Sequence, residues 1–329
     1  MRDHGGNLDQ AIARFGGAKT DWIDLSTGIN RRPYPVPPLP PEVWNALPRQ
    51  DARQALIAAA AHAYRTDAAI LPLAGAQAAI QLIPRLAPPG RARVLSPTYN
   101  EHAAALRAAG WTVDEVTAPG DLVGADLAVL VNPNNPDGRA ITAADLRALA
   151  GKVGRLVVDE SFADIAPDLS IAPDCAEIPG LLVLRSFGKF YGLAGLRLGF
   201  AIGAKAVVAQ LAAMAGPWAV SGPALEIGAR ALRDDNWAAA TRSRLAAESP
   251  RIDALAQAAG WRPIGGTGLF RLYDMPEAAE AQARLAHHRI WSRIFPRRPG
   301  WLRLGLPGDE DEWTRLSGAM EKVGNAIHP

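Results

Sequence analysis

Cysteine is nearly absent from this sequence. The single Cys175 among 329 residues excludes an intrachain disulfide and any metal site built from several thiolates. Excess charge is missing too. Lys and Arg number 35 against 33 Asp and Glu, a formal net charge of +2, without the cationic surplus of a nucleic-acid footprint. No window stays apolar over the thickness of a bilayer, and residues 1–7 lack the apolar core of a signal peptide. A soluble, cytoplasmic protein is therefore expected, with neither membrane nor nucleic acid as partner. His287 and His288 are neighbours that point apart on a helix, so no metal site is expected. There is no internal repeat, and low complexity is confined to the proline-rich residues 32–41.

What is present is apolar material, 49% of residues, enough for a large domain and a smaller one. Residues 1–35 read as an N-terminal arm with a short helix over 8–15 and a strand over 22–26. Residues 36–215 read as the large domain. Its helices are expected at 51–64, 75–86, 100–109 and 145–150, its strands at 92–96, 111–116, 126–131, 156–158, 181–184 and 198–202. Alternation of this kind predicts a mostly parallel sheet with helices on both faces. Residues 216–329 read as a smaller α+β domain packing with the arm, with strands at 261–264, 269–273, 290–294 and 301–304. Ligands on such parallel sheets bind beyond the carboxyl ends of the strands.

Several chemistry-bearing groups stand at those strand ends. Lys189 is an isolated lysine among Gly, Phe, Tyr and Leu, and desolvation favours its neutral, nucleophilic amine. Taken alone, its neighbourhood favours a surface lysine on a glycine-rich turn. Gly75-Ala76-Gln77 opens a helix whose free N–H groups attract phosphate, as any small-residue helix start would. In the segment 132–138, two Asn-Pro steps and a closing Gly fix a rigid loop presenting the Asn135 amide. Asp159 ends an apolar strand, where a carboxylate needs a cation or donors; capping the next helix is the competing role.

In order and spacing, Asn-Pro-Asn-Asn-Pro-Asp-Gly over 132–138, Asp-Glu-Ser-Phe over 159–162 and Ser-Phe-Gly-Lys over 186–189, with Gly-Leu-Arg-Leu-Gly over 195–199, resemble the fold-type I pyridoxal-phosphate enzymes. The nearest branch is the histidinol-phosphate aminotransferase-like one, and the resemblance covers essentially the whole chain. It implies an aminotransferase-like α/β fold, a pyridoxal 5'-phosphate cofactor and a homodimer. It makes Lys189 the Schiff-base lysine and Asp159 the partner of the pyridine nitrogen. Asn135 would bond the ring O3′ and Tyr99 would stack on the ring. Gly75, Ala76, Gln77, Ser186 and Arg197 would hold the phosphate, and Arg303 a substrate carboxylate. Two departures stand out. Phe162 replaces a tyrosine whose hydroxyl also bonds O3′, and Leu47-Pro48 replaces a Tyr-Pro that reaches the partner subunit's cofactor.

The start and end of the chain bear on the reaction. His4-Gly5-Gly6-Asn7 could form an anion nest from backbone N–H groups and two side chains, or be a frayed terminus. Together with the segment Asp24-Leu25-Ser26-Thr27-Gly28-Ile29-Asn30 and the closing Trp301-Leu302-Arg303-Leu304-Gly305, it resembles the threonine-phosphate decarboxylases of cobalamin biosynthesis. That resemblance implies decarboxylation of L-threonine O-3-phosphate to (R)-1-amino-2-propanol O-2-phosphate. His4, Gly5, Gly6, Asn7, Asn30, Arg293 and Arg303 would then form the substrate site. A decarboxylase gains nothing from gripping the carboxylate tightly in the ground state. A histidinol-phosphate-type aminotransferase is the alternative enzyme. A non-catalytic binding protein that partners the next enzyme of the pathway is a third reading, opposed by intact Lys189, Asp159 and Asn135.

Overall fold

The computed structural model describes residues 4–327, with side chains described as far as Lys322. Residues 1–3, expected to begin the arm, lie outside the described residues. The chain forms two compact units. One comprises Tyr34–Asn135 and Arg139–Ala239, the other Met1–Pro33, Pro136–Gly138 and Ala240–Pro329. A short strand β1 (Ile23–Asp24) belongs to the second unit.

The first unit is built on a seven-stranded sheet. Its strands are β2 (Ala69–Leu73), β3 (Arg91–Leu95), β4 (Thr112–Val116), β5 (Leu127–Val131), β6 (Leu156–Asp159), β7 (Leu181–Ser186) and β8 (Gly199–Gly203), in the order β2-β8-β7-β6-β5-β3-β4. All five residues of β5 and the first five of β7 are buried. Leu127, Val129, Leu182 and Leu184 join a core with Ile80, Leu106 and Trp111, while Ala128, Leu130 and Val183 are buried on the opposite face. A sheet covered on both faces needs continuous apolar strands rather than alternating ones, as this sequence has.

Direction decides where the site lies. β4, β3, β5, β6 and β7 run parallel, whereas β8 runs antiparallel to both β7 and β2. Two reversals bring the end of β2 to the same edge as the ends of the parallel strands. The start of β8 reaches that edge too. Gly199 pairs with Leu73 on one side and Ser186 on the other. A Cβ there would stand 2.3 Å from Ala76 N and 2.5 Å from Gly75 C, so only glycine lets the turn after β2 close over β8.

The second unit holds a four-stranded antiparallel sheet. β9 (Arg262–Thr267) and β10 (Phe270–Asp274) pair with each other, and β10 pairs with β13 (Arg298–Gly305), which also carries β12 (Arg293–Phe295). β11 (Ile290–Trp291) pairs in parallel with β1 of the arm. The single strand expected over 290–294 is thus divided, because its two halves answer to different partners. The arm helix Leu8–Phe15 buries Ala11 against Trp22 and Ala286, with Phe15 and Trp291 alongside.

One boundary differs from the sequence reading. Residues 216–239, expected in the smaller domain, cluster with the seven-stranded sheet. Helix Gly222–Ala231 packs so closely that a Cβ on Gly228 would lie 2.5 Å from Leu198 Cδ2 and 2.9 Å from Leu56 Cδ1. Trp237 stacks on Tyr191 with centroids 5.4 Å apart. Helical periodicity cannot show which core a helix face meets, and two aromatic or glycine contacts decide it here.

Gly199→Ala is expected to destabilise the chain by about 2–3 kcal/mol, the scale of overpacking against fixed backbone. Urea unfolding measures it, and a loss below about 0.5 kcal/mol contradicts the close approach.

Candidate active site

A cavity of about 190 Å³ opens at the shared strand edge of the first unit. Its lining includes Gly75, Ala76, Gln77, Tyr99, Asn135, Asp159, Ser186, Lys189 and Arg197, so every residue expected to touch the cofactor borders one space. They arrive from the ends of β2, β3, β5, β6 and β7 or the turns beyond them, and Arg197 from the turn that leads into β8. Lys189 lies in the short helix Phe187–Phe190, straight after β7. Its Nζ stands 5.8 Å from the centroid of Phe162, which lines the cavity with a ring and no hydroxyl.

Asp159 ends β6 and is 3% exposed. Burial pushes its carboxyl up. His102 Nε2 lies 2.8 Å from Oδ2, and the Ser161 hydroxyl and N–H both bond Oδ1, the N–H at 2.9 Å. These contacts outweigh burial and hold the carboxyl below its ordinary value. Asp159 therefore remains an anion inside the pocket, suited to a ring N–H cation.

His102 and Ser161 are not among the residues expected at the site. His102 is three residues after Tyr99, the ring centroids are 6.2 Å apart, and helical spacing puts both on one face of Glu101–Ala108 and its lead-in. That spacing was the available signal. Tyr99 in turn donates its hydroxyl to Gln77 Oε1 at 3.1 Å, and Gln77 Nε2 lies 3.3 Å from buried Glu101. Thr98 Oγ1 bonds Asn134 at 2.6 Å, which ties the turn after β3 to the Asn-Pro loop after β5.

The opposite end of the cavity is cationic. A Cβ on Gly75, whose φ is +81°, would lie 2.8 Å from Arg197 Nη2. Arg197 itself has φ +55°, and its Nη1 bonds Ala194 O at 3.0 Å. A bare glycine against a guanidinium, with Ser186 beside it, makes a cradle for a small anion. Carboxylate, lysine and anion cradle in one cavity fit a phosphorylated pyridine aldehyde.

The residues expected at the substrate's anionic groups stand in the other unit. Arg293 and Arg303 are direct cross-strand partners on β12 and β13. Burial first, and then Arg293, push the Arg303 guanidinium down to about 9, against the pull of Asp24. Like charges set opposite each other cost stability, and an incoming anion relieves them. Arg303 Nη2 also bonds Ser26 O at 2.7 Å. Gly5 and Gly6 meet the same residue: Gly6 N–H donates to Ser26 Oγ at 2.7 Å. That N–H is thereby engaged within the protein, unlike the open nest read from the sequence. Asn7 caps the arm helix through Gln10 N, and His4 is exposed. Asn30 is buried, its Oδ1 held by Arg244 Nη2 at 2.8 Å and Arg32 N at 3.1 Å.

Residues 21–319 match the family model for class I and II aminotransferases. A threonine-phosphate decarboxylase of Sinorhizobium sp is 45% identical over 328 residues, covering 97% of this chain and 98% of that one. A protein of the same name from Pseudomonas aeruginosa PAO1 is 45% identical over 327 residues, covering 97% of each. Among solved structures, histidinol-phosphate aminotransferase from Sinorhizobium meliloti in complex with pyridoxal-5'-phosphate matches with a TM-score of 0.81 at 20% identity, over 99% of this chain and 96% of that one.

Replacing His102 by Leu removes the largest influence that keeps Asp159 ionised. Two effects are expected. Cofactor affinity falls by about tenfold or more, the worth of a hydrogen bond to a charged group. A carboxyl held low stabilises the fold above its unfolded value and loses that contribution as pH falls, so His102→Leu moves acid unfolding to higher pH. Equilibrium dialysis and circular dichroism against pH measure the two, and no change in either contradicts the pairing.

Proposed function

The chain belongs to the class I and II aminotransferase family, and on that footing we propose that it is a pyridoxal-phosphate enzyme that decarboxylates L-threonine O-3-phosphate to (R)-1-amino-2-propanol O-2-phosphate. The observation that carries the choice of reaction is 45% identity, over nearly the full length, to two relatives named for that activity. The paired Arg293 and Arg303 support it, since this substrate brings a carboxylate and a phosphate.

When bound, the cofactor supplies an electron sink for the pair left on Cα as CO₂ departs. Asp159, kept anionic by His102, would hold the ring N–H protonated. Tyr99 and Asn135, which line the same cavity, would hold the ring. Ser186, Arg197 and the Gly75–Gln77 backbone would hold the cofactor phosphate. Lys189 Nζ would hold the aldehyde end of the cofactor and return a proton to the substrate's Cα. Arg293 and Arg303, cross-strand partners in the second unit, would take the substrate's two anionic groups, with Asn30 and the arm as further candidates in the same unit. The product fits a role in cobalamin biosynthesis, and a cytoplasmic location belongs to the same proposal. Among the described residues no helix is long and apolar enough to cross a membrane.

Incubation with L-threonine O-3-phosphate should release CO₂ in step with amine phosphate, and Lys189→Ala should abolish it. Glutamate formation from histidinol phosphate and 2-oxoglutarate, without CO₂ from threonine phosphate, overturns the proposal in favour of transamination.

A homodimer is part of this reading. Trp44 is 68% exposed, Leu47 65% and Val36 48%, all within one segment of the first unit. Apolar side chains this open in a monomer suit burial against a second copy. Sedimentation velocity should give a dimer, with Trp44→Glu or Leu47→Glu shifting it towards monomer; a monomeric wild type contradicts the assembly.

A further inference from the structure

Ser26 is 1% exposed and bonds both Gly6 of the arm and Arg303. Its hydroxyl accepts from Gly6 N–H at 2.7 Å and donates to Asp24 Oδ1 at 2.6 Å. Its own N–H bonds the same carboxylate oxygen at 2.9 Å. Its carbonyl accepts from Arg303 Nη2 at 2.7 Å. That carbonyl is also the wall for Gly5, where a Cβ would stand 2.4 Å away.

The glycine pair is explained by this packing. Gly5 has no room for a side chain against Ser26 O, and Gly6 sits at φ +82°, which a side chain would strain. Farther along, Gly305 N–H donates to Leu25 O at 2.7 Å, so the strand bearing Arg303 is bonded to the same stretch. Asp24 is the charge that pulls Arg303 back up, and its position is set by two bonds from Ser26. The lining of the cofactor cavity belongs to the other unit.

We infer that Ser26 is a positioning residue for anion recognition: it fixes the Gly5-Gly6 turn and the Arg303 guanidinium against one another, and so sets substrate affinity rather than the chemical step. The inference rests on Arg303 receiving an anionic group of the substrate, as proposed above. Losing the hydroxyl frees Gly6 N–H and removes one of the two bonds to Asp24, while leaving the carbonyl to Arg303. Adding a methyl at Gly5 displaces the carbonyl instead. Both changes loosen the same joint from opposite sides.

The test uses the cofactor-loaded enzyme with Ser26→Ala, Gly5→Ala and Ser26→Thr. Both alanine variants should raise KM for L-threonine O-3-phosphate about tenfold, as for one or two lost hydrogen bonds, with kcat within about twofold. The cofactor's visible absorbance should be unchanged, and hydrogen exchange at Gly6 should quicken in Ser26→Ala. Ser26→Thr, which keeps the hydroxyl, should restore KM. An unchanged KM in well-folded alanine variants overturns the inference, as does a fall in kcat with KM constant. If Ser26→Ala fails to fold, Gly5→Ala carries the same measurement. If the wild type releases no CO₂, the proposed reaction fails separately, and calorimetry with inorganic phosphate decides the role of Ser26. Binding about tenfold weaker in Ser26→Ala supports it; equal affinity, or no binding to the wild type, overturns it.

Discussion

Asp159 is a carboxylate kept ionised where almost no water reaches it, and much of the first unit follows from that requirement. An unanswered buried charge costs several kcal/mol, so the surroundings must supply donors in fixed places. β6 sets Asp159 beside Val131 of β5 and Leu184 of β7, in the middle of the sheet edge. The next residue, Glu160, points to the opposite face, as successive strand residues do. It has a separate set of partners: Arg185 Nη1 at 2.8 Å, the Ser170 hydroxyl at 2.5 Å and Ile171 N–H at 2.7 Å. Arg185 Nη2 reaches Asp164 as well, at 2.7 Å. Burial nonetheless holds Glu160 above its usual range. Two consecutive acids thus serve different ends, one facing the cavity and one bracing β6 against β7.

Much of this was legible beforehand because it is local. Continuous apolar runs mark buried parallel strands, and the groups that follow them in sequence must emerge at one edge. Lys189, Asn135 and Asp159 stand out in that way, while Tyr99 comes only from the resemblance to known motifs, which names the tasks of all four. His102, Ser161 and Ser26 do not stand out. The roles of His102 and Ser26 depend on pairings across 57 residues, with Asp159, and 277, with Arg303, whereas Ser161 bonds Asp159 from two residues away. A short polar residue in a strand-end turn looks the same whether it caps, packs or positions. The fold boundary was misplaced for a related reason: Gly228 and Trp237 look like ordinary helix residues until their contacts with Leu198, Leu56 and Tyr191 are known.

The glycines show a division of labour that composition hides. Gly199 admits a backbone turn, Gly75 admits a guanidinium, and Gly5 admits a carbonyl. In each case the missing side chain is replaced by a polar group of the protein rather than by solvent. Close approach of backbone to a functional group recurs in both units, and each instance sits beside a residue assigned to binding.

The opposed Arg293 and Arg303 carry a consequence beyond recognition. A chain that sets two cations against each other in its folded form is less stable empty than it would be with apolar residues there. An anion that binds only the folded form returns that loss in proportion to its concentration. If the substrate's anions are received there, as proposed, the lifetime of the folded protein in the cell is tied to their supply, so that molecules short of ligand are the first to reach the proteases.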